Sequence, residues 1–333
     1  MEKGWTGLPY HSISEHYKRI FNEKVYKIPV SIVDDCPNRM GLKGMKTCSF
    51  CDVWGSAARE ESFQMTLQKQ IETYHQLIAK KYKAKKFLVY FQAYTNTFTK
   101  IPLLRANFET ALQYPYVGGF VLGTRPDCLS EAVLQLWQEY CQKSFVAIEL
   151  GVQSFFDSHL EFMQRGHSVN DSLKAIKKIS DKTRVDLGIH LIFGSPNETE
   201  AQIIESALIC NDLPITNIKL HNMHVLKNTQ LEKWYHSGSY APIELNEYTR
   251  KVQLFLSYLH PRIAIHRLTA YAPRWNELIA PKWTADKMGP HQIIVDSLRV
   301  QKIYQGCKLT AQNDLDHSLL QQMSLRVERV LQV

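Results

Sequence analysis

Six short, strongly apolar segments alternate along the chain with segments whose apolar residues recur at helical spacing. Strands that alternate with helices form right-handed β-α units around a parallel sheet. Because the strands are apolar on both faces, helices are expected to cover both faces of the sheet. The sequence therefore predicts an α/β fold, a partial six-stranded parallel (β/α)6 TIM-like barrel with a small α+β C-terminal extension. The predicted strands are Ile28–Asp34, Phe87–Gln92, Val117–Gly123, Phe145–Gly151, Val185–Phe193 and Ile215–Val225, and the helices between them are Gln64–Tyr82, Leu103–Tyr114, Glu131–Gln142, Asn170–Lys182 and Glu198–Asp212.

The alternation stops after residue 235, which divides the chain into three predicted parts. Residues 1–27 form a polar and aromatic leader that packs on the barrel, residues 28–235 form the barrel, and residues 236–333 form the extension. Within the extension, the predicted elements are helices over Leu245–Leu259 and Gln292–Tyr304 and a short strand over Arg262–Leu268.

Composition and charge limit the class of protein and of partner. With 333 residues, of which 44% are hydrophobic and 22% charged, the chain has the composition of a globular protein that buries a core. The formal charge of +8 and the pI of about 9.0 permit a nucleic acid or another anionic partner. The chain has neither a basic-then-apolar signal nor a run of about 18 apolar residues, so we expect no membrane span and a cytoplasmic location.

Three of the seven cysteines lie on one loop, directly after the first predicted strand. Eleven residues separate Cys36 from Cys48, and two separate Cys48 from Cys51. Loops at the carboxyl ends of parallel strands carry the chemistry of α/β barrels. Three thiolates favour an iron–sulfur cluster with one iron open to an outside ligand, while zinc and thiols without a ligand role remain open alternatives. The other cysteines, expected to be buried apolar side chains, are Cys128, Cys141, Cys210 and Cys307.

Polar side chains follow each of the later strands, where a loop should begin. One such residue alone would more often be a satisfied turn residue. Because parallel strands end at the same edge, the set together predicts a shared ligand at the carboxyl-terminal mouth of the barrel. The groups are Gln92–Thr97, Gly123–Asp127, Glu149–Ser154 with Arg165–His167, His190–Pro196, and Lys219–His221 with His224.

The cysteine loop and the polar groups that follow it along the chain resemble, in their order, the motifs of the radical S-adenosylmethionine (SAM) superfamily. Within it, the chain is similar to the bacterial YhcC-like (YtqA-like) family, which is related to the radical-SAM part of the elongator catalytic subunit. The similar segments run from about residue 25 to 306. They are Cys36–Arg39 with Cys48 and Cys51, Phe91–Thr97, Gly123–Cys128, Glu149–Ser154, Arg165–His167, Lys219–His221, His266–Leu268, Ala280–Trp283 and Gln305–Gly306.

The chain departs from the superfamily pattern at three places. Eleven residues, rather than the common three, separate Cys36 from Cys48. Met40 stands where an acidic residue is expected after Arg39. The stretch Tyr94–Thr97 replaces the Gly-Gly-Glu sequence that holds the methionine amino group of SAM in the superfamily.

The resemblance implies two cofactors and a radical mechanism. A 4Fe-4S cluster would be held by Cys36, Cys48 and Cys51, with SAM on its open iron. One electron would cleave SAM, and the 5′-deoxyadenosyl radical would take a hydrogen atom from the substrate. The residues implied for SAM are Thr95 and Asn96 for the methionine amino group, Gln153 and Arg165 for the ribose and carboxylate, and Glu149 and His190 for the ribose or adenine, while Lys219, His221 and Arg267 are implied to face the substrate.

The expected function is that of a radical-SAM enzyme, and a tRNA nucleoside is the first candidate substrate. The related enzymes include one that modifies a tRNA wobble uridine, and the chain is basic. Two alternatives remain: a small metabolite or peptide substrate, or a non-enzymatic RNA-binding protein with a zinc-stabilised loop. The implied partners are an electron donor such as a flavodoxin or ferredoxin, and tRNA. The aromatic residues that would stack on an unpaired base, unless they pack internally, are Trp234, Tyr271 and Trp283.

Overall fold

Nine strands form two sheets in the part of the chain that the structure describes. The computed structural model describes Trp5 and residues 7–33, 35–52, 64–272 and 276–309. Strands β1 to β6 and β8 form one curled parallel sheet in that order, and β7 pairs antiparallel with β9. The strands are β1 Val25–Val30, β2 Lys86–Phe91, β3 Val117–Thr124, β4 Phe145–Gln153, β5 Asp186–Phe193, β6 Asn217–Asn222, β7 Val225–Leu226, β8 Ala264–Ile265 and β9 Leu278–Ala280.

The parallel sheet confirms the predicted partial barrel and extends it by one strand. The two residues of β8 pair with Asn217 and Ile218 at the start of β6, so part of the predicted segment Arg262–Leu268 joins the barrel sheet. The backbone also continues the pairing at the other side of β8, where Ile265 donates its N–H to the carbonyl of His11 (2.8 Å). The leader therefore contacts the last strand of the barrel.

Helices connect the strands, and side-chain caps fix where most of them begin. Ser168 and Thr199 each form a capping box, with Asp171 and Gln202 respectively. The Thr199 cap makes that helix begin at Glu200, rather than at the predicted Glu198. In chain order the helices are α1 Ile13–Phe21, α2 Leu67–Tyr82, α3 Ile101–Leu112, α4 Glu131–Cys141, α5 Asp157–Phe162, α6 Val169–Lys182, α7 Glu200–Asp212, α8 Gln230–His236, α9 Leu245–Tyr258 and α10 Gly289–Val300.

The first strand ends earlier than predicted because a side chain replaces the next strand partner. The Gln70 amide accepts the N–H of Ser31 (2.8 Å) and donates to its carbonyl (2.9 Å). Those two backbone groups are then unavailable for a ladder, so β1 ends at Val30. Asp34, the last residue of the predicted strand, lies outside the described residues.

The sixth strand is also shorter than its prediction, Ile215–Val225. It ends at Asn222, whose side-chain oxygen accepts the N–H of Ala270 (2.8 Å). Val225 then pairs with Ala280 in the small antiparallel sheet. One long apolar segment is thus divided between two sheets.

Helix α1 lies against the inner face of the sheet near its amino-terminal end. Tyr17 of α1 is 3% exposed and packs with Leu88, Tyr90, Val121 and Ala147, which point from β2, β3 and β4 toward the barrel interior. The larger apolar core lies between the outer face of the sheet and the surrounding helices. No helix among the described residues is long and apolar enough to cross a membrane. The division of the chain at residues 27 and 235 stays a prediction.

Candidate active site

The cysteine loop follows β1 at the carboxyl-terminal edge of the sheet and turns back tightly on itself. The carbonyl of Cys36 accepts the N–H of Met40 (3.1 Å). Gly41 and Gly44 have φ angles of 65° and 75°, in the left-handed region that favours glycine. These turns bring the later part of the loop back toward Cys36.

Two residues tie the cysteine loop to the rest of the protein. Asn38 donates its side-chain amide to three carbonyls, those of Lys46 (2.9 Å), Gln164 (2.9 Å) and Arg165 (3.2 Å). The Ser49 N–H donates to the Met163 carbonyl (3.0 Å), while the Ser49 carbonyl accepts the N–H of Leu231 (2.8 Å). The loop is therefore held between the segment after β4 and helix α8.

The three thiols lie within electrostatic reach of one another. Cys36 and Cys48 are 8% and 7% exposed, and Cys51 is half-buried. Burial, then the charges of Cys48 and Asp52, with a smaller effect from Cys36, raise the pKa of the Cys51 thiol to about 12. A thiol in such surroundings ionises when a cation is bound beside it.

A cavity of about 920 Å³ opens over this loop, and its size and lining suit a cluster with a further ligand. No group of three His, Cys, Asp or Glu side chains is arranged to hold a metal ion within the described ranges. A 4Fe-4S cluster takes its thiolates at separate iron atoms rather than around one ion, so Cys48 and Cys51 in the cavity lining, with Cys36 within electrostatic reach of Cys51, fit it. The cavity lining includes Asp35, Arg39, Lys46, Cys48, Cys51, Asp52, Gln164, Asn228 and Trp234.

Arg165 connects the cysteine loop to the end of β4. Its guanidinium donates to the Cys48 sulfur (3.3 Å), to the Gly151 carbonyl (3.1 Å) and to His167 (3.3 Å), and the side chain is only 7% exposed. The Arg165 carbonyl accepts a bond from Arg125 (2.7 Å). A cation thus lies beside one candidate cluster ligand, within reach of an anionic group bound next to it.

Three more of the residues predicted to bind SAM, Thr95, Asn96 and Gln153, are buried at the ends of β2 and β4. Asn96 donates its side-chain amide to the carbonyls of Gly123 (2.8 Å) and Phe91 (3.1 Å), which fixes the loop after β2, and its side-chain oxygen has no partner among the described residues. Thr95 is 1% exposed. Gln153 has a φ of 70° at an irregularity of β4, and its buried side-chain oxygen likewise has no partner in the part of the chain that the structure describes. Two acceptor oxygens are therefore free for a donor.

The barrel interior, called the lumen below, contains a network of charged side chains around Glu149. Its carboxylate accepts bonds from Lys27, from Lys219 (2.8 Å), from Tyr90 (2.6 Å) and from His190 (2.7 Å). Glu149 is 2% exposed. The structure therefore brings Glu149 and His190 together with the predicted substrate residue Lys219, and not with the cysteines.

Burial and mutual charge set the protonation of this network. Burial would raise the pKa of Glu149, but the charges of Lys219, Lys27 and His266 outweigh it and hold the pKa well below its usual value. Burial lowers the pKa of Lys219 to about 8 and that of His190 to about 4. The expected state near neutral pH is an ionised Glu149, a charged Lys219 and a neutral His190.

The two remaining predicted substrate residues lie next to this network. Arg267 donates to the ring of His221 and, weakly, to the Leu220 carbonyl (3.4 Å). The rings of His221 and His190 have their centres 6.1 Å apart. Lys219, His221 and Arg267 are thus gathered at one side of the lumen.

The three aromatic residues expected at the mouth have different surroundings. Trp283 donates its ring N–H to the Ile243 carbonyl (3.0 Å) and packs against Tyr248, so it is an internal packing residue. Trp234 stacks on Phe162 with ring centres 4.9 Å apart and lines the cavity. Tyr271 is 37% exposed.

Three residues of the lumen were not predicted to be functional: Lys27, Tyr90 and His266. Lys27 is a charged residue within the apolar strand β1, and His266 contacts both Lys27 (3.3 Å) and Asn217 (2.7 Å). The predicted first strand began at Ile28, so Lys27 was assigned to the leader and its place inside β1 was not predicted. A lysine within such a strand faces the interior only when the sheet curls, which the strand pattern alone does not show.

Fold and site together define the class of the protein. The Radical SAM superfamily model matches residues 30–209, and the Radical_SAM C-terminal domain model matches residues 215–299. The chain belongs to the radical SAM superfamily. This membership confirms the predicted cofactors, a 4Fe-4S cluster and SAM, and supports an enzyme.

The relatives include the YtqA and YhcC proteins. The chain is 30% identical to YtqA of Bacillus subtilis, over 90% of the chain and 93% of that protein. It is 32% identical to YhcC of Escherichia coli, over 81% of the chain and 85% of that protein. The fold is also that of the archaeal Elp3 of Methanocaldococcus infernus, with a TM-score of 0.64 and 16% identity over 85% of this chain and 65% of that one. The predicted family is therefore confirmed.

Proposed function

We propose that the chain is a radical-SAM enzyme whose cluster is held by Cys36, Cys48 and Cys51. The observation that carries the proposal is that Cys48 and Cys51 line one cavity, while Cys36 lies within electrostatic reach of Cys51 and the Arg165 guanidinium contacts the Cys48 sulfur. When bound, the cluster and SAM supply one-electron cleavage of SAM and removal of a hydrogen atom from the substrate.

The protein's own part is to hold and shield these groups. Asn38 and Ser49 fix the cysteine loop through hydrogen bonds to backbone groups. Arg165 would bind the SAM carboxylate, because its guanidinium lies beside Cys48, one of the three cysteines that would hold the cluster. The unpartnered oxygens of Asn96 and Gln153 accept from the methionine amino group and the ribose hydroxyls, respectively, and Thr95 lies beside Asn96.

Glu149 has a different role from the SAM contact that the resemblance implied. Both of its oxygens already accept bonds from lumen side chains, so it orders Lys27 and Lys219 rather than the ribose or adenine. His190 donates to Glu149 (2.7 Å) and belongs to the same network. Lys219, His221 and Arg267 then face the substrate.

The proposed substrate is a tRNA nucleoside. The chain is 27% identical, over 39% of its own length, to the tRNA uridine(34) acetyltransferase of Methanocaldococcus jannaschii, and it covers 25% of that protein. The charge of +8 also suits a polyanion. A cytoplasmic location and reduction by a flavodoxin or ferredoxin complete the proposal.

Iron and sulfide analysis tests the cluster assignment. After anaerobic reconstitution, the protein should contain four irons and four sulfides, which is the stoichiometry of a 4Fe-4S cluster. Cys48→Ala should abolish this content, because it removes a ligand. Cys141→Ala is the matched control, since Cys141 lies in α4, away from the cysteine loop, and should leave the content unchanged. A wild-type iron content in Cys48→Ala would refute the site.

Comparing the modified nucleosides of total tRNA tests the substrate. A strain that lacks the gene should lose one modified nucleoside, or accumulate its precursor, relative to the parent strain. Complementation with the wild-type gene should restore the pattern, and the Cys48→Ala gene should not. Identical nucleoside profiles in the deletion strain and its parent would favour a small metabolite or a peptide.

A further inference from the structure

Among the described residues, the lumen contains more cationic side chains than carboxylates. Lys27, Lys219 and Arg267 all influence the protonation of the same group of buried side chains. Within the described ranges, Glu149 is the carboxylate that pairs with lumen cations, and it pairs with both lysines. The single negative charge of Glu149 is therefore already shared between two lysines, and it does not also neutralise Arg267.

Arg267 forms no ion pair with a carboxylate of the described residues. Its guanidinium donates to the His221 ring and to the Leu220 carbonyl (3.4 Å). A guanidinium has five N–H donors and stays charged in proteins, so several donors remain for another acceptor. The side chain nevertheless lies among buried groups, and burial lowers its pKa.

Lys219 and Arg267 are neighbours across the sheet. Lys219 lies on β6, and the chain beyond β8 continues beside it, since Leu220 donates its N–H to the Arg267 carbonyl (3.2 Å). The nearby charge of Arg267 contributes to lowering the pKa of Lys219. Two cations held this close in a poorly solvated space repel each other unless an anion lies between them.

The lumen can be reached from outside. The side chains of Lys219, His190 and Lys27 are 13%, 17% and 20% exposed, although they surround a carboxylate that is 2% exposed. Lys219 pairs in register with His190, which lies two residues nearer the carboxyl end of β5 than Gly188, the partner of Glu149. A small group that enters from the mouth would therefore reach the level of Lys219 before that of Glu149.

We infer, on the basis of the proposed function, that the lumen binds an anionic group of the substrate, a carboxylate or a phosphate, between Arg267 and Lys219. The Arg267 fork contacts two oxygens of the group and Lys219 contacts one, while Glu149 keeps Lys219 in place. The substrate class is thereby narrowed to molecules that present an anionic oxygen group at the end that enters the barrel.

Anion binding to the reconstituted protein tests the inference. The probes are sodium acetate and inorganic phosphate, measured by calorimetric titration against sodium chloride at equal ionic strength. Wild-type protein should bind at least one of the two in a saturable way, and the preferred one identifies the group as carboxylate or phosphate. Arg267→Gln and Lys219→Met should each weaken the affinity about tenfold or more, and Arg267→Lys should recover part of it. Arg19→Gln, an exposed arginine on α1, is the matched control with the same loss of charge and should bind as wild type does.

Two results would overturn the inference. One is saturable binding that is equal in Arg267→Gln and wild type, and the other is no binding of either probe by wild type. A third measurement, of SAM affinity, tests whether the anion belongs to the substrate or to SAM. The SAM affinity of Arg267→Gln should stay within twofold of wild type. A tenfold fall would show that the anion is the SAM carboxylate. Iron and sulfide analysis of the same preparations keeps the proposed function separate, because a normal cluster without anion binding refutes only the lumen site.

Discussion

At the scale of single residues, Arg165 is the side chain with the most consequential contacts. It reaches the Cys48 sulfur, the end of β4 and His167, and its own carbonyl is held by both Asn38 and Arg125. Because Arg165 is held at both its guanidinium and its backbone carbonyl, the side chain can move little, and the orientation of its remaining N–H donors is fixed. Arg125 is in turn held by Asp127 through two bonds of 2.9 Å.

Replacing Arg165 should weaken SAM binding. Arg165→Ala removes a charge-assisted hydrogen bond to the carboxylate, so we expect a loss of about 1.5–3 kcal/mol in binding free energy. Equilibrium dialysis of labelled SAM with reconstituted protein measures it. Arg105→Ala, which removes an exposed arginine paired with Glu139, should bind SAM normally. Unchanged SAM affinity in Arg165→Ala would remove Arg165 from the site.

Replacing Glu149 should strongly destabilise the fold. Glu149→Gln leaves Lys27 and Lys219 in the lumen without their shared carboxylate, and removing one partner of a buried ion pair typically costs about 3–5 kcal/mol. Urea unfolding gives the change in the free energy of unfolding. Glu139→Gln at the surface is the control and should change it much less. Equal effects of the two substitutions would contradict an ionised Glu149 in the lumen.

At the scale of elements, the short helix α5 positions the site although it is only six residues long. It lies between the end of β4 and Arg165, and its C-terminal end is followed by Met163, whose carbonyl holds the cysteine loop. His159 of α5 packs inside, where its ring bonds to the Ser154 hydroxyl (3.0 Å). The stability of α5 is therefore linked to the protonation of a buried histidine.

The pH dependence of stability should show this link. Burial, with the nearby charge of Lys251, lowers the pKa of His159 from 6.5 to about 4. Between these values the unfolded chain binds a proton that the folded chain does not, so stability falls as the pH falls from 6.5 toward 4, by up to ~1.4 kcal/mol per pH unit. His159→Gln should flatten this slope, and His236→Gln, at an exposed position, should not. Urea unfolding at several pH values decides it; an unchanged slope in His159→Gln would contradict the assignment.

At the scale of the whole molecule, the two ends of the barrel carry different groups of residues. The cysteine loop, Asn96 and Arg165 follow the carboxyl ends of β1, β2 and β4. The basic run Lys80–Lys86 lies at the opposite end, because it joins the last turn of α2 to the first residue of β2. With about 3.3 Å per residue, the six residues of β2 separate the two ends by roughly 20 Å. Exposed lysines at the mouth include Lys43 and Lys46 of the cysteine loop.

Salt dependence of tRNA binding should reveal which end contacts RNA. For unpaired RNA, log affinity should fall against log salt with a slope of about −0.7 for each phosphate neutralised. Replacing Lys43 and Lys46 together by Gln should make the slope shallower by about 0.7 for each phosphate that these lysines neutralise. Replacing Lys81 and Lys83 is the matched control. A larger effect of the control pair would place RNA at the amino end, and no tRNA binding at low salt would exclude the tRNA substrate.

The sequence by itself determined the kind of fold, the cysteine loop and the family. Apolar periodicity is a local property, so the six barrel strands and five of the six helices that the structure describes between them were predicted within a few residues of their observed bounds, while the short helix α5 was not predicted. The cysteine spacing and the order of the motifs are also readable along the chain. The predicted ends of strands were wrong where a side chain from another part of the chain bonds to the strand backbone, as Gln70 does just after β1.

Only the tertiary structure decided which polar residues share a site. Glu149 and Gln153 are four residues apart in one motif, yet Glu149 joins Lys27 and Lys219 in the lumen, while Gln153 adopts a φ of 70° beyond it. The two lysine partners of Glu149 come from β1 and β6, and four other strands lie between these two in the sheet. Curling of the sheet brings them together, because residues that alternate on one face of each strand then point to a common interior. No local pattern contains that curvature, so the charged lumen became visible only in three dimensions.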